Sequence, residues 1–281
     1  MSAVMDTVIN KTGIKNTGPL GQATDYVETY TPSLLHSLER RDPGPEGMGF
    51  EGMGEDVWTG YEFSWLNTQG KPEVAALRLR VNCDSSCIVE SKSMKLYLGS
   101  FAQTKFESRT EVMKTLDQDL AIAFRAPVIV EVLDLQQLPQ PATRMPGRCL
   151  DDLDIRTQTY HRDPNFLAVQ SNGAVVHETL HSHIFRSLCP VTNQPDWASV
   201  CVEYRGQAID EEGLLKYLIS FRQHAAFHES TVEVLYNDIM EYCAPETLSV
   251  YGRFQRRGGL DINPFRSNHE QIAPEYRMLR Q

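Results

Sequence analysis

The sequence has no run of about 18 apolar residues, so no stretch of it is long and oily enough to cross a bilayer as a helix. Its start carries Asp6 and no long hydrophobic stretch of the kind a secretory signal needs, and a soluble, cytoplasmic protein is expected. Basic charge is in deficit, with 27 Lys and Arg against 37 Asp and Glu and a net charge of -10. An extended phosphate-binding face needs the opposite balance, because cations are what displace the counterions of nucleic acid. Direct nucleic-acid binding is therefore not expected, and small ligands stay open. Cysteine is sparse and scattered, at Cys83, Cys87, Cys149, Cys189, Cys201 and Cys243, too few in 281 residues for a disulfide scaffold. What is present is ordinary globular composition, 41% hydrophobic and 23% charged, enough for one large or two modest domains.

Residues 1–57 are rich in Gly, Pro, Thr and Asp and read as an irregular extension laid over a core. Within them Gly47-Met48-Gly49-Phe50-Glu51-Gly52 matches the dinucleotide fingerprint letter for letter. The match is rejected, because no buried strand precedes it, Asp42-Pro43-Gly44-Pro45-Glu46 does, and Glu55-Asp56 follows where a pyrophosphate would be repelled. From Trp58 the pattern is regular. Leu77, Leu79 and Val81 alternate with Arg78 and Arg80 as a half-buried strand should. Met94, Tyr97, Leu98 and Phe101 then share one helical face, Val112, Leu116, Leu120 and Phe124 share another, and Val128, Val130 and Val132 alternate again.

The second half repeats this unit. Tyr97-Leu98-Gly99-Ser100-Phe101 recurs as Tyr217-Leu218-Ile219-Ser220-Phe221 at an offset of 120, and Glu107-Ser108 with Glu111-Val112 recurs as Glu229-Ser230 with Glu233-Val234 at 122, as if the second copy had two more residues in the loop between. Upstream, Arg80-Val81-Asn82-Cys83 echoes Arg186-Ser187-Leu188-Cys189. Residues 175–185, 200–204 and, as a final strand, 248–254 complete the second copy, with Val232, Leu235, Ile239 and Cys243 as its last helical stripe. The expected fold class is α+β: two tandem modules, 58–140 and 141–281, each an antiparallel sheet covered by a helix pair. The divide falls near residues 136–150, where Gln and Pro cluster.

Chemistry concentrates in Leu188-Cys189-Pro190-Val191-Thr192-Asn193-Gln194-Pro195-Asp196-Trp197. A free thiol near pKa 8.5 is only about 3% thiolate at neutral pH, so a reactive one needs company, and Asp196 can orient it or move its proton. A buried structural cysteine beside a turn aspartate accounts for the same letters. The first copy offers Cys83 and no matching Pro-Asp loop, but it carries a polar turn with lysines, Glu90-Ser91-Lys92-Ser93-Met94-Lys95, that the second lacks. Halves with complementary polar sets suggest one site assembled from both; independent drift of surface residues does equally well. Glu229 opens the last long helix, where an acid favours the dipole, but a carboxylate there can also accept two parallel N–H bonds from a guanine-like edge. Arg256-Arg257-Gly258-Gly259 is a tight basic loop suited to phosphate or to a plain hairpin.

Together, Glu90-Ser91-Lys92-Ser93-Met94-Lys95-Leu96-Tyr97, Leu188-Cys189-Pro190 with Gln194-Pro195-Asp196-Trp197, Phe227-His228-Glu229 and Arg256-Arg257-Gly258-Gly259-Leu260-Asp261 resemble the NADPH-dependent 7-cyano-7-deazaguanine reductases, the nitrile reductases of queuosine biosynthesis, in their longer two-module form. The resemblance implies the tunnelling fold, whose barrels are completed by oligomerisation, here as a homodimer. It implies that Cys189 forms a covalent thioimide with the nitrile carbon and that Asp196 is its proton partner. It implies that Val89, Glu90, Ser91, His228 and Glu229 hold the deazaguanine, and that Ser91, Lys92, Arg257 and Gly258 bind NADPH. No metal is expected. The competing reading is a zinc hydrolase resembling the GTP cyclohydrolases, with Cys83, Cys87, His177, His181 and His183 as its only candidate ligands and no clear cysteine partner for the histidines at metal spacing.

Overall fold

A computed structural model describes residues 8–9, 15–16, 19, 26–40, 50–138, 141–142, 144–171 and 174–281. Residues 47–49 of the glycine run, about half of the 1–57 extension and residues 139, 140 and 143 of the expected divide lie outside them. The principal elements are β1 (Ser37–Glu39), β2 (Met53–Leu66), β3 (Pro72–Asn82), β4 (Cys87–Val89), α1 (Ser91–Gly99), α2 (Arg109–Phe124), β5 (Val128–Leu133) and β6 (Arg148–Cys149). They continue with β7 (Val175–Leu188), β8 (Pro195–Gln207), α3 (Glu211–Ser220), α4 (His228–Cys243), β9 (Thr247–Phe254) and β10 (Leu260–Ser267).

Eight strands form one sheet in the order β5-β3-β2-β10-β9-β8-β7-β6, antiparallel except where β6 joins β7. The apolar side of each strand faces a helix pair. Trp58, Phe63, Leu77 and Leu79 pack on Met94, Tyr97, Val112 and Leu116, while Leu180, Phe185, Val200 and Val202 pack on Leu214, Tyr217, Val232 and Leu235. The opposite face is covered in part by Met145, Ala273, Tyr276 and Met278, against Val57, Cys201, Tyr251 and Phe265. In the extension, Tyr30, Leu34 and Leu35 rest on the first core, and β1 pairs with β4.

Two strand boundaries differ from the sequence reading, for one reason. β2 begins at Met53, inside the segment read as irregular, and β10 follows the strand read as final and joins the two halves by pairing with β2. Both carry buried charge that breaks the apolar pattern. Asp56 lies between Arg40 at 2.6 Å and the fully buried Arg266 at 2.8 Å, and Arg266 reaches on to Glu233 at 2.7 Å.

The duplication is real, but its register needs correcting. Leu66 and Leu188 are the equivalent strand ends: each forms an isolated parallel bridge, to Lys105 and to Ala225, and each sits opposite a proline, Pro72 and Pro195. Each hairpin also has a bulge, between Gly60 and Phe63 and between Ser182 and Phe185. Cys189 therefore corresponds to Asn67 and Asp196 to Glu73, and the echo with Arg80–Cys83 joins non-equivalent strands. In the helices, Tyr97 donates to Asp119 at 2.7 Å as Tyr217 donates to Asp238 at 2.5 Å, and both long helices end in left-handed residues, Arg125 and Ala244. Matching Asp119 to Asp238 gives an offset of 119, so the second loop is one residue shorter, not two longer, and His228-Glu229 aligns with Arg109-Thr110. A shift of three residues in a helix keeps the apolar stripe almost in phase, which is why pattern alone misplaces it.

Candidate active site

The spacing of Cys189 and Asp196 is the geometry of a hairpin end. Leu188 pairs with Pro195 and Ser187 with Asp196, so the six residues between the strands put the thiol and the carboxylate at the same end of the sheet. The Cys189 amide donates to the Gln194 carbonyl at 2.9 Å and the Asn193 amide to the Cys189 carbonyl at 3.0 Å, with Asn193 left-handed at φ 54°. Leu188 donates to the His224 carbonyl at 2.8 Å and its own carbonyl accepts from Ala226 at 3.2 Å. That anchors the segment running directly into α4, and so delivers His228 and Glu229 to the hairpin.

These residues line a cleft at the seam between the two cores. Val89, Ser91, Cys189, Asp196, His228, Glu229 and Arg257, all singled out from sequence, are on its wall. Glu90, Lys92 and Gly258 are not. Glu90 is buried and caps α1, accepting from the Lys92 amide at 2.5 Å and the Ser93 amide at 3.0 Å, so it holds Ser91 in place. Lys92 directs Nζ to the Pro19 carbonyl at 2.9 Å. Gly258 and Gly259, at φ 62° and 77°, make the tight turn in which Arg257 N–H donates to the Leu260 carbonyl at 2.9 Å. A Cβ on Gly258 would meet Lys95 Cδ at 3.3 Å.

Lys95 is the cleft residue that sequence reading passed over. It lies one helical turn after Lys92, and the spacing of three that puts both on one face was the available sign. Burial, then the charge of Arg257, pulls its ammonium below the usual lysine range, with Glu90, Asp196 and Cys189 opposing. Two cations sharing a desolvated wall favour an anionic guest. Asp196 is the hub of the second half's side of the cleft, with Oδ2 3.4 Å from His228 Nε2 and Oδ1 3.3 Å from Arg257 Nη1, which also donates to Gln194 at 3.1 Å. The His228 ring stacks on Phe254 at 3.8 Å and its Nδ1 lies 3.3 Å from the Ile262 carbonyl. A carbonyl only accepts, so the Nδ1 proton is committed there and Nε2 faces Asp196. Glu229 is buried at the start of α4, which has no side-chain cap. Burial, then the charge of Asp56, pushes its carboxyl up to about 6, against the pull of His228.

The ligands named for a zinc hydrolase do not assemble as expected. Cys83 and Cys87 are not grouped with the histidines among the described residues, and His177 turns to Glu203 at 3.2 Å. His181 and His183 instead meet Cys149, away from the cleft.

Known families match both halves of the chain. The family described as nitrile reductase, 7-cyano-7-deazaguanine-reductase N-term, matches residues 26–132, and the family described as QueF-like protein matches residues 195–273. Cys189 falls between the two matched stretches and Asp196 within the second. The NADPH-dependent 7-cyano-7-deazaguanine reductase of Hydrogenovibrio crunogenus (strain DSM 25203 / XCL-2) is 46% identical over 267 residues, covering 93% of this chain and 96% of its own. At that identity and coverage, with family matches in both halves, the chain belongs to the 7-cyano-7-deazaguanine reductase family.

Proposed function

We propose that this chain reduces the nitrile of 7-cyano-7-deazaguanine to the primary amine of 7-aminomethyl-7-deazaguanine with NADPH, as a step in queuosine biosynthesis. The observation that carries the reading is the convergence of Cys189, Asp196, His228 and Glu229 on one cleft that Lys95 and Arg257 also line. Glu229 accepts the ring N–H and exocyclic amine of the purine-like edge as two parallel bonds. Val89 and Ser91 lie on the pocket wall beside that ring, with Glu90 fixing the turn they leave from. The Cys189 thiol gives its proton to the Asp196–His228 pair as its sulfur adds to the nitrile carbon, one π bond of the nitrile breaks, and the pair returns a proton to the nitrogen, leaving a thioimide.

The residues fit a nicotinamide dinucleotide: Lys95 and Arg257 present positive charge to a partly enclosed space, and Gly258 leaves room beside Lys95 that a side chain would fill. When bound, NADPH supplies hydride, twice for the four electrons between nitrile and amine. Ser91, Lys92, Arg257 and Gly258 would hold it, joined by Lys95. Between hydride transfers the half-reduced imine has to stay in this partly enclosed cleft, sheltered from water.

The two cores support two modules of the tunnelling fold, 58–140 and 141–281, behind the 1–57 extension. One chain leaves β5 as a sheet edge with Ile129 61% exposed, and a second copy completing a barrel as a homodimer would cover it. No described helix is long and apolar enough to cross a membrane, and a cytoplasmic enzyme without direct nucleic-acid contact fits the charge. The test is NADPH oxidation followed with and without 7-cyano-7-deazaguanine. Two NADPH should be consumed per amine, and none with Cys189→Ala; oxidation independent of the nitrile, or an active Cys189→Ala, overturns the reading.

A further inference from the structure

Away from the cleft, Cys149 on β6 and His181 and His183 on β7 bring their ligand atoms within 4.8 Å of one another. Tetrahedral zinc holds nitrogen and sulfur donors about 3.3–3.6 Å apart, so modest side-chain rotation closes the set. Each ring is already held by its other nitrogen. His181 Nδ1 lies 2.9 Å from the Pro146 carbonyl, and His183 Nδ1 lies 2.8 Å from Ser199 Oγ. The Pro146 contact commits the His181 proton to Nδ1 and leaves Nε2 as a bare lone pair, the tautomer a metal-binding histidine needs. Arg280 donates to Ser199 Oγ at 3.0 Å, and a carboxylate, Asp151, stands behind the cluster, accepting from Ser182 Oγ at 2.6 Å and from the His183 amide at 2.9 Å. His181 is buried and its two partners are half-buried, so the donors are sheltered but reachable.

From this geometry we infer that Cys149, His181 and His183 form a binding site for a borderline-soft divalent cation of the zinc type, with water in the fourth position. Cys149 binds as thiolate and its proton passes to solvent, so no oxidant or reductant is involved. None of the three residues lines the cleft. The role is structural: β6 has only two residues in the ladder, Arg148 opposite Leu180 and Cys149 opposite His181, and the ion would fasten this sheet edge to β7.

The full-length protein, stripped with chelator and desalted, should be titrated with Co²⁺ and then Zn²⁺. The site predicts about one ion per chain, a sulfur-to-cobalt charge-transfer band, and displacement of cobalt by zinc. Cys149→Ser should abolish the band, His181→Gln should lower stoichiometry below half, and Ser199→Ala, which keeps every ligand, should weaken binding by about 10-fold to 100-fold. Wild-type protein that binds no cobalt, or binds it without the sulfur band, overturns the inference without recourse to any variant. So does a folded Cys149→Ser that retains the band. Nitrile reduction should persist in the stripped protein, which separates failure of this site from failure of the catalytic one.

Discussion

Glu229 offers the most discriminating test of how the cleft captures its purine, because its ionisation pulls folding and binding in opposite directions. The carboxyl is held at about 6, first by burial and then by Asp56. A carboxyl raised above its unfolded value favours the folded state at low pH, and that contribution disappears as pH rises from about 4.5 through about 6, a change on the order of 2 kcal/mol. Binding runs the other way. Two N–H donors need the carboxylate, so below pH 6 the bound proton must leave first, and affinity should fall about tenfold per pH unit. Glu229→Gln replaces one acceptor with a donor facing a donor. Losing a charge-assisted bond and stranding a buried polar group together cost about 3 kcal/mol or more, at least about 100-fold in affinity. The assay is calorimetric titration with 7-cyano-7-deazaguanine between pH 5 and 8, in buffers of different ionisation heat, on a Cys189→Ala background that keeps binding non-covalent. Proton release near pH 6 should accompany binding and vanish in Glu229→Gln. Affinity flat across that range, or a folded Glu229→Gln within threefold of its parent, refutes the assignment.

Without NADPH, the nitrile should add its whole mass to Cys189 and leave Cys83, Cys201 and Cys243 untouched, since burial pushes those thiols up to about 11, 12 and 11; peptide mapping that finds the increment on another cysteine rejects Cys189. Lys95→Met and Arg257→Ala should each raise the NADPH concentration needed for half-maximal rate at least tenfold while adduct formation continues, and loss of the adduct would move them from cofactor to nitrile. Asp238→Ala should cost about 3 kcal/mol in urea unfolding, because it leaves the Tyr217 hydroxyl unpaired in the second core and takes away the carboxylate 2.6 Å from Arg162. A loss under 1 kcal/mol would show that this network carries little.

How much of this was legible in the sequence depends on what each residue does. Strands and helices that bury plain apolar stripes, such as β3 with Leu77, Leu79 and Val81, follow from periodicity alone. Strands that bury charge do not: Glu55 and Asp56 in β2, and Asp261 and Arg266 in β10, hide behind partners supplied by distant segments. The same limit applies in the cleft. Cys189 and Asp196 stand out because one hairpin relates them, whereas Lys95, hinted at only by its spacing from Lys92, owes its place to the way α1 faces the tip of the 257–260 turn. Cys149 gave no sign of its histidines because it belongs to a two-residue edge strand.

The corrected register of the duplication poses a sharper question, whether position in the fold or its neighbours make the thiol reactive. Asn67 occupies the place of Cys189 and Glu73 that of Asp196, and in the first module these two side chains bond to each other at 3.3 Å. Asn67 also accepts from the amides of Gln69 and Lys71, both at 3.0 Å, closing a small polar turn where the second module keeps an open wall. The Glu73 side chain is 39% exposed against 7% for Asp196, and Arg109 stands where the second module has His228. Asn67→Cys would thus carry a thiol on an equivalent hairpin end, beside an acid, without a desolvated pocket, a histidine or a purine-binding carboxylate. It should remain free of adduct under conditions that label Cys189 completely, because the addition depends on holding the nitrile at the sulfur and delivering a proton to its nitrogen. A nitrile increment on the peptide spanning position 67, formed at a rate within tenfold of that at Cys189, would mean that the hairpin itself suffices. The cleft residues assembled from both modules would then be doing less than this structure assigns them.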